Sequence, residues 1–282
     1  MGNAEPPESV ADGYDEQQRA GQAERVVMTF MTIPAASIAG MVFSLIVSFA
    51  LPIGLFVYAK KKLGAKTAPF FIGCGVFFVM VLMLEAAIHR IVFQLAGEAL
   101  TGSVILYAVY GGLMAALFEE TGRYIAMRFL VKPMDFPNAF MYGAGHGGVE
   151  AMLLCGVASI SNIASAVMIN SGTMSAQLAT LDAKKAADTA AALWTTPSLT
   201  FFAGGVERII AVVLHLSLSI LVFQSIRKKS QKDLLNAYLF HFVIDSLSVL
   251  LSAVASVWVV ELVTALVTGG AVLMAKYACM EE

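Results

Sequence analysis

Apolar residues in this chain run in long unbroken stretches, without the alternation of a half-buried strand or the narrow stripe of a soluble amphipathic helix. Polar interruptions divide them into seven segments, near residues 33–58, 68–94, 104–131, 138–168, 198–226, 234–254 and 256–277. Each reaches the ~20 residues that a helix rising 1.5 Å per residue needs to cross a hydrocarbon core. Continuous apolarity predicts helices and argues against a barrel, whose strands alternate. The expected fold is all-α, a polytopic transmembrane helical bundle of about seven spans. The last two spans are divided only by a turn-length break near Ser256, and the final one carries Glu261.

Polar residues between the spans give the orientation. Lys60, Lys61, Lys62, Lys66, Arg128, Lys132, Arg227, Lys228, Lys229, Lys232 and Lys276 fall on one face when successive crossings alternate. The other face has Arg19, Arg25, Lys184 and Lys185, with the lysine pair bracketed by Asp182 and Asp188. Lys and Arg are retained on the inner side, so the N-terminus is expected outside and the C-terminus in the cytosol of a bacterial plasma membrane. Residues 1–30 are acidic and polar without the apolar core of a signal peptide, which predicts a disordered tail ahead of one membrane domain over 31–282. Pro6 stands where a myristoylation signal after Gly2 wants Ser or Thr. The long connection over 171–197 ends near Trp194 and is expected to form an interfacial helix.

Composition adds the solvent. With 59% hydrophobic and 13% charged residues, the chain carries more apolar surface than one soluble core could bury. A formal net charge of -2 and no basic stripe leave no nucleic-acid footprint. Cys74, Cys155 and Cys279 are too far apart for a local metal knuckle and read as packing residues.

Against that background the ionisable residues inside spans stand out, since each costs ~2.5 to 3.5 kcal/mol near the bilayer centre. Span three carries Glu119, Glu120 and Arg123 in FEETGRY. Span four has His146 and Glu150 in GAGHGGVEA, span five Glu207, Arg208 and His215 in ERIIAVVLHLSLS, and span six His241 and Asp245 in HFVID. Counted from the cytosolic end of each span, Glu120, His146, His215 and His241 lie ~10 to 17 Å deep. One polar layer, in the cytosolic half and within residues 104–254, is therefore expected. Spacing of four along a helix pairs Glu119 with Arg123, His146 with Glu150, His215 with Ser219 and His241 with Asp245. Gly143, Gly145, Gly147 and Gly148 around His146 serve either close helix packing or room for a substrate backbone. Glu85, His89 and Arg90 read as anchors at the outer end of span two. Glu207 and Arg208 read as a paired structural element, on a stripe with Ala211, His215 and Ser219 that could extend the cavity outward.

The signature motifs of zinc, serine and aspartate membrane proteases are missing from the spans. The E-E-x-x-R, His and His-x-x-x-Asp pattern resembles the CPBP superfamily of glutamate-dependent membrane proteases, which includes the type II CAAX prenyl endopeptidases. The fuller set of four motifs is closer to the YhfC family of bacterial intramembrane peptidases. The resemblance covers spans three to six. It implies that Glu119 or Glu120 activates a water, while His146 and His241 orient it or stabilise the oxyanion. Arg123, Glu150, His215 and Asp245 would support them, and Asp245 stands where the CAAX enzymes usually have Asn. An ionised Asp accepts hydrogen bonds and cannot donate them, which suits it to orienting His241. The implied substrate is a membrane-embedded or lipidated peptide.

Two mechanisms remain open. Glutamate chemistry needs no cofactor and is the leading reading; alternatively His146, His215 and His241 with a carboxylate make a shell sufficient for Zn²⁺. Other classes also fit these residues: hydrolysis or transfer on a lipid-linked substrate, a non-catalytic scaffold or substrate-binding subunit, and a proton-coupled transporter. The absence of an internal repeat counts against the transporter.

Overall fold

The structure is a computed structural model that describes residues 32–173 and 183–280, the side chains of 183–187 excepted. The expected tail over 1–30 lies outside the described residues. Helix α1 spans Ala35–Lys61. Helix α2, Ala68–Phe77, continues through a π-helical stretch, Phe78–Glu85, into α3, Ala86–Thr101. Helix α4 is Val104–Phe129. Helix α5, Phe136–Glu150, passes through a second π-helical stretch, Ala151–Gly156, into α6, Val157–Asn170. Helices α7 (Ala183–Thr195), α8 (Ser198–Lys228), α9 (Gln231–Ser252) and α10 (Val257–Met280) complete the series.

Seven continuous helices are long and apolar enough to cross a membrane, and they match the seven segments read from the sequence. No strand occurs among the described residues. The second span overruns its expected end by seven residues, because α3 becomes amphipathic around Gln94 and Glu98 and bends at the non-helical Ala96. Local chemistry sets the starts. Ser103, Asp135 and Ser230 cap α4, α5 and α9 by accepting from the backbone N–H groups of Leu106, Asn138 and Asp233. Pro69 and Pro137 occupy first-turn positions, where a missing N–H costs nothing.

The described residues form two compact units. One joins the chain up to Val42 with Ser159–Phe201. Its core packs Ile33, Met41, Ala166, Ile169, Ala190 and Leu193, and Asn170 brackets the backbone of Ile33 with hydrogen bonds of 2.7 and 3.0 Å. The helix expected in the 171–197 connection is α7, with Trp194 exposed.

The second unit comprises Phe43–Ala158 and the chain from Phe202 onward. Its centre is α8, whose apolar window is 61% buried against 17 to 28% for the other spans. From Val212 to Ser225 nearly every α8 side chain is enclosed. Leu113 and Leu117 of α4, and Leu262, Leu266 and Leu273 of α10, stay exposed, as expected where lipid is the solvent.

The α5 glycines bring helices together. A methyl at Gly143 would meet Ser219 Oγ at 2.8 Å, and one at Gly147 would meet His215 Cβ at 2.7 Å, so this pair forms the seam with α8. Gly145 lies against the Phe70 backbone of α2, and Gly148 against Pro52 of α1. Of the two uses open to them, the structure fills all four with neighbouring helices and leaves no room there for a substrate.

Candidate metal centre and its cavity

Glu119 and Glu120 are adjacent on α4, and neighbours on a helix point ~100° apart. They face different partners. Fully buried Glu120 approaches Arg123 Nε at 3.2 Å as an ion pair and accepts from His241 Nδ1 at 2.7 Å, tying α4 to α9. Arg123, also fully buried, donates through Nη1 to the His215 carbonyl and to Ser219 Oγ, both at 2.7 Å. Its Nη2 lies 2.9 Å from His215 Nδ1. One guanidinium thus binds α4 to α8.

Glu119 turns the other way, into a ring of imidazoles. Its Oε2 is 2.8 Å from His146 Nε2 on α5 and 3.9 Å from His215 Nδ1 on α8. Oε1 is 3.7 Å from His241 Nε2 on α9. The His146 and His215 ring centres are 5.2 Å apart, and those of His215 and His241 5.6 Å. Glu150 Oε2 approaches His215 Nε2 at 2.5 Å, and its Oε1 accepts from Arg208 Nη1 at 2.9 Å. Arg208 also grips Glu207 next to it.

Four helices therefore deliver polar groups to one cluster. The pairings mostly differ from those expected. Arg123 serves Glu120 in place of Glu119, His146 meets Glu119 and not Glu150, and Ser219 bonds Arg123 and not His215. His241–Asp245 remains as expected, at 3.4 Å.

A cavity of about 310 Å³ opens on this cluster. Glu119, Glu150, His215, His241 and Asp245 line it, while Glu120, Arg123 and His146 are absent from its lining and stand behind. Three of the four residues read as supporting thus reach the cavity, and two of the four read as catalytic do not. The lining also includes Glu207, Ala211 and His215, three of the four residues on the stripe expected to extend the cavity, together with Arg208, and Glu261 of α10, which was given no role. Glu261 was detectable by the same criterion as the others, an ionisable group inside a span. Glu261, Ser248 and Val249 sit within about a turn of the ends of α10 and α9 that are poor in Lys and Arg, so the cavity extends that way.

Span two needs a correction as well. Glu85 is not an interfacial anchor: it is buried, pairs with His89 Nε2 at 3.1 Å, and His89 Nδ1 meets the Tyr110 hydroxyl at 2.8 Å. Arg90 is exposed. Cys74, Cys155 and Cys279 form no disulfide, and Cys74 donates to the Gly145 carbonyl at 3.3 Å.

The ligand atoms of Glu119, His146 and His215 all lie within 4.8 Å of one another, and all three residues are buried. Of the expected set, three imidazoles with a carboxylate, His146, His215 and Glu119 meet this distance, and His241 stands beside them with Nε2 3.7 Å from Glu119 Oε1. One carboxylate and two imidazoles form a donor set known from catalytic zinc sites, with a fourth side open to substrate. A supporting carboxylate is also in place. Glu150 faces His215 Nε2, as carboxylates behind metal-binding histidines do, while Glu120 accepts from Nδ1 of the neighbouring His241. The residues present fit a divalent ion.

Comparison with known proteins covers this region. Residues 47–264 match the family described as YhfC intramembrane metalloprotease. The chain is also similar to a protein of Bacillus subtilis (strain 168) described as uncharacterized membrane protein YhfC. The two are 42% identical over 200 residues, which make up 69% of this chain and 77% of the relative. No solved structure matches. The description of the family and the Glu119–His146–His215 trio both weigh against the cofactor-free mechanism that the sequence favoured. Seven apolar spans, a buried carboxylate–imidazole cluster within 47–264 and the extent of the match together place this chain in the YhfC intramembrane metalloprotease family.

Proposed function

We propose that this protein is a zinc-dependent intramembrane endopeptidase in which Glu119, His146 and His215 hold the ion at the inner end of the cavity. The observation that carries the reading is Glu119 itself, a buried carboxylate with imidazoles from α5, α8 and α9 around it. A zinc ion there supplies a Lewis acid for the scissile carbonyl and the attacking water.

The remaining steps fall to the chain's own groups. Arg123 Nη2 and Glu150 Oε2 bracket the His215 ring at Nδ1 and Nε2; with the ring proton on Nε2, facing Glu150, the Nδ1 lone pair would turn from Arg123 to the ion, and Arg123 would stay bonded through Nη1 to the His215 carbonyl and Ser219. Glu120 holds His241 through Nδ1. Neither Glu120 nor Arg123 lines the cavity, and both act as positioning residues. Asp245, with 38% of its side chain exposed and 3.4 Å from His241 Nε2, takes the proton of the attacking water and returns it to the leaving nitrogen. The water oxygen bonds to the carbonyl carbon as the C–N bond breaks. The substrate is a membrane-embedded or lipidated peptide, and the excess of Lys and Arg at one set of helix ends supports a C-terminus on the cytosolic side of a bacterial plasma membrane.

Purified protein in detergent tests the reading. About one zinc per chain is expected, with peptide hydrolysis that a chelator abolishes and zinc restores. Glu119→Gln should lose both metal and hydrolysis; a Glu119→Gln protein that keeps both would refute the assignment.

A further inference from the structure

The cavity has an acidic wall that peptide hydrolysis leaves unused. Beyond the cluster it is lined by Glu207 and Arg208 of α8 and Glu261 of α10. Arg208 is the one arginine in the lining, and it is committed to Glu150 and Glu207. Asp245 faces His241, and Glu150 faces His215. The hydroxyls are engaged too. Ser248 donates to the Ile244 carbonyl at 2.7 Å, and Thr264 to the Glu261 carbonyl at 3.1 Å.

Glu261 differs from all of these. It is 7% exposed, it borders the cavity, and its Oε2 has no hydrogen-bond partner among the described residues. A carboxylate enclosed in protein without a partner is costly, and a cation brought to it offsets that cost. Five carboxylates, Glu119, Glu150, Glu207, Asp245 and Glu261, line the cavity against one guanidinium, so a divalent ion at Glu119 would still leave negative charge in excess. At about 310 Å³ the space lies at the lower end of ligand pockets, enough for a residue-sized group.

We propose that Glu261, reinforced by Glu207, anchors a positively charged group of the substrate, an ammonium or guanidinium, at the end of the cavity away from the metal centre. The inference rests on the reading of this cavity as the peptide site and adds a charge preference to it. Two sources supply the same chemistry: a Lys or Arg side chain beside the scissile bond, or the α-ammonium of a free N-terminus.

Thermal unfolding of the purified full chain separates them, with and without zinc, using three small probes. N-acetyl-lysine methylamide carries the side-chain ammonium, norleucine methylamide the α-ammonium, and N-acetyl-norleucine methylamide neither. At least one charged probe should raise the melting temperature at concentrations where the uncharged one does not, and which one does so identifies the source. Glu261→Gln should weaken that probe at least about tenfold, while Glu261→Asp, which keeps the charge, should retain the preference. Each variant's melting temperature without probe reports whether it folds. Glu119→Gln should lose zinc yet keep the probe response, so a failed metalloprotease reading and a failed charge preference give different results. Equal responses to charged and uncharged probes, or an unchanged response in a folded Glu261→Gln protein, would overturn the proposal.

Discussion

Replacing Gly147 by Ala puts the helix seam and the metal centre to one test. The added methyl would stand 2.7 Å from His215 Cβ and 3.0 Å from its Cγ and Cδ2, where ordinary contacts begin at 3.4 Å. The imidazole must retreat by about 0.7 Å, because α5 and α8 are locked at Gly143 as well. Metal–ligand distances tolerate about 0.2 Å. A shift several times larger should cost ~10- to 100-fold in zinc affinity, in the range seen when the support of a ligand is disturbed. Overpacking should lower stability by ~1 to 3 kcal/mol, offset in part by the ~1 kcal/mol gained when a helical glycine becomes alanine. Zinc competition against a chromophoric chelator measures the first quantity and thermal unfolding the second. Gly111→Ala on α4, where nothing lies within 4 Å of the new methyl, is the control and should bind zinc as the native protein does. If folded Gly147→Ala protein binds zinc with native affinity, the close approach of α5 to α8 does not set the position of His215.

Three further outcomes follow from the same geometry. Arg123→Met leaves Glu120 as a buried charge without its counter-ion and should destabilise the protein by ~3 to 5 kcal/mol; a loss below ~1 kcal/mol in chemical denaturation would show that the pair is not structurally important. Asp245→Asn should keep zinc content while lowering kcat by ~10² to 10⁴, and full turnover in that variant would move the proton transfer to another group. Stripping the metal should lower the melting temperature, since a ligand at 100 times its Kd stabilises the folded state by ~2.7 kcal/mol; identical unfolding curves with and without chelator would count against a structured metal site.

Sequence gave depth well and direction poorly. Helical rise is fixed, so counting residues from span ends put Glu120, His146, His215 and His241 at one level; His241 does meet Glu120, while His146 and His215 gather round its neighbour Glu119. Azimuth depends on which helices neighbour one another, which one sequence does not contain. Spacing of four therefore paired Glu119 with Arg123 and His146 with Glu150, whereas closely packed helices offer partners across the interface at hydrogen-bond distance. Gly143 and Gly147 are what allow that approach, and their role was legible only as one of two alternatives. Glu85 was misread for a related reason: its partner His89 was visible one turn away, but Tyr110, which holds the other side of His89, lies on the next span.

Helix α4 also bears on how the protein enters the membrane. Glu119, Glu120 and Arg123 fall within five residues, and its hydropathy of 1.3 is the lowest of the seven spans. Alone in lipid, each of those groups costs ~2.5 to 3.5 kcal/mol. Their partners arrive late in synthesis, with His215 on α8 and His241 on α9 about 90 and 120 residues further along the chain. During that interval α4 is a poor transmembrane segment by itself, held by its flanking spans or at the margin of the insertion machinery until α8 and α9 are made. Closing the carboxylate–imidazole cluster and committing α4 to the bilayer are then one event. Substitutions at Glu120 or Arg123 that impair the site should accordingly also change how much of the chain reaches the membrane intact.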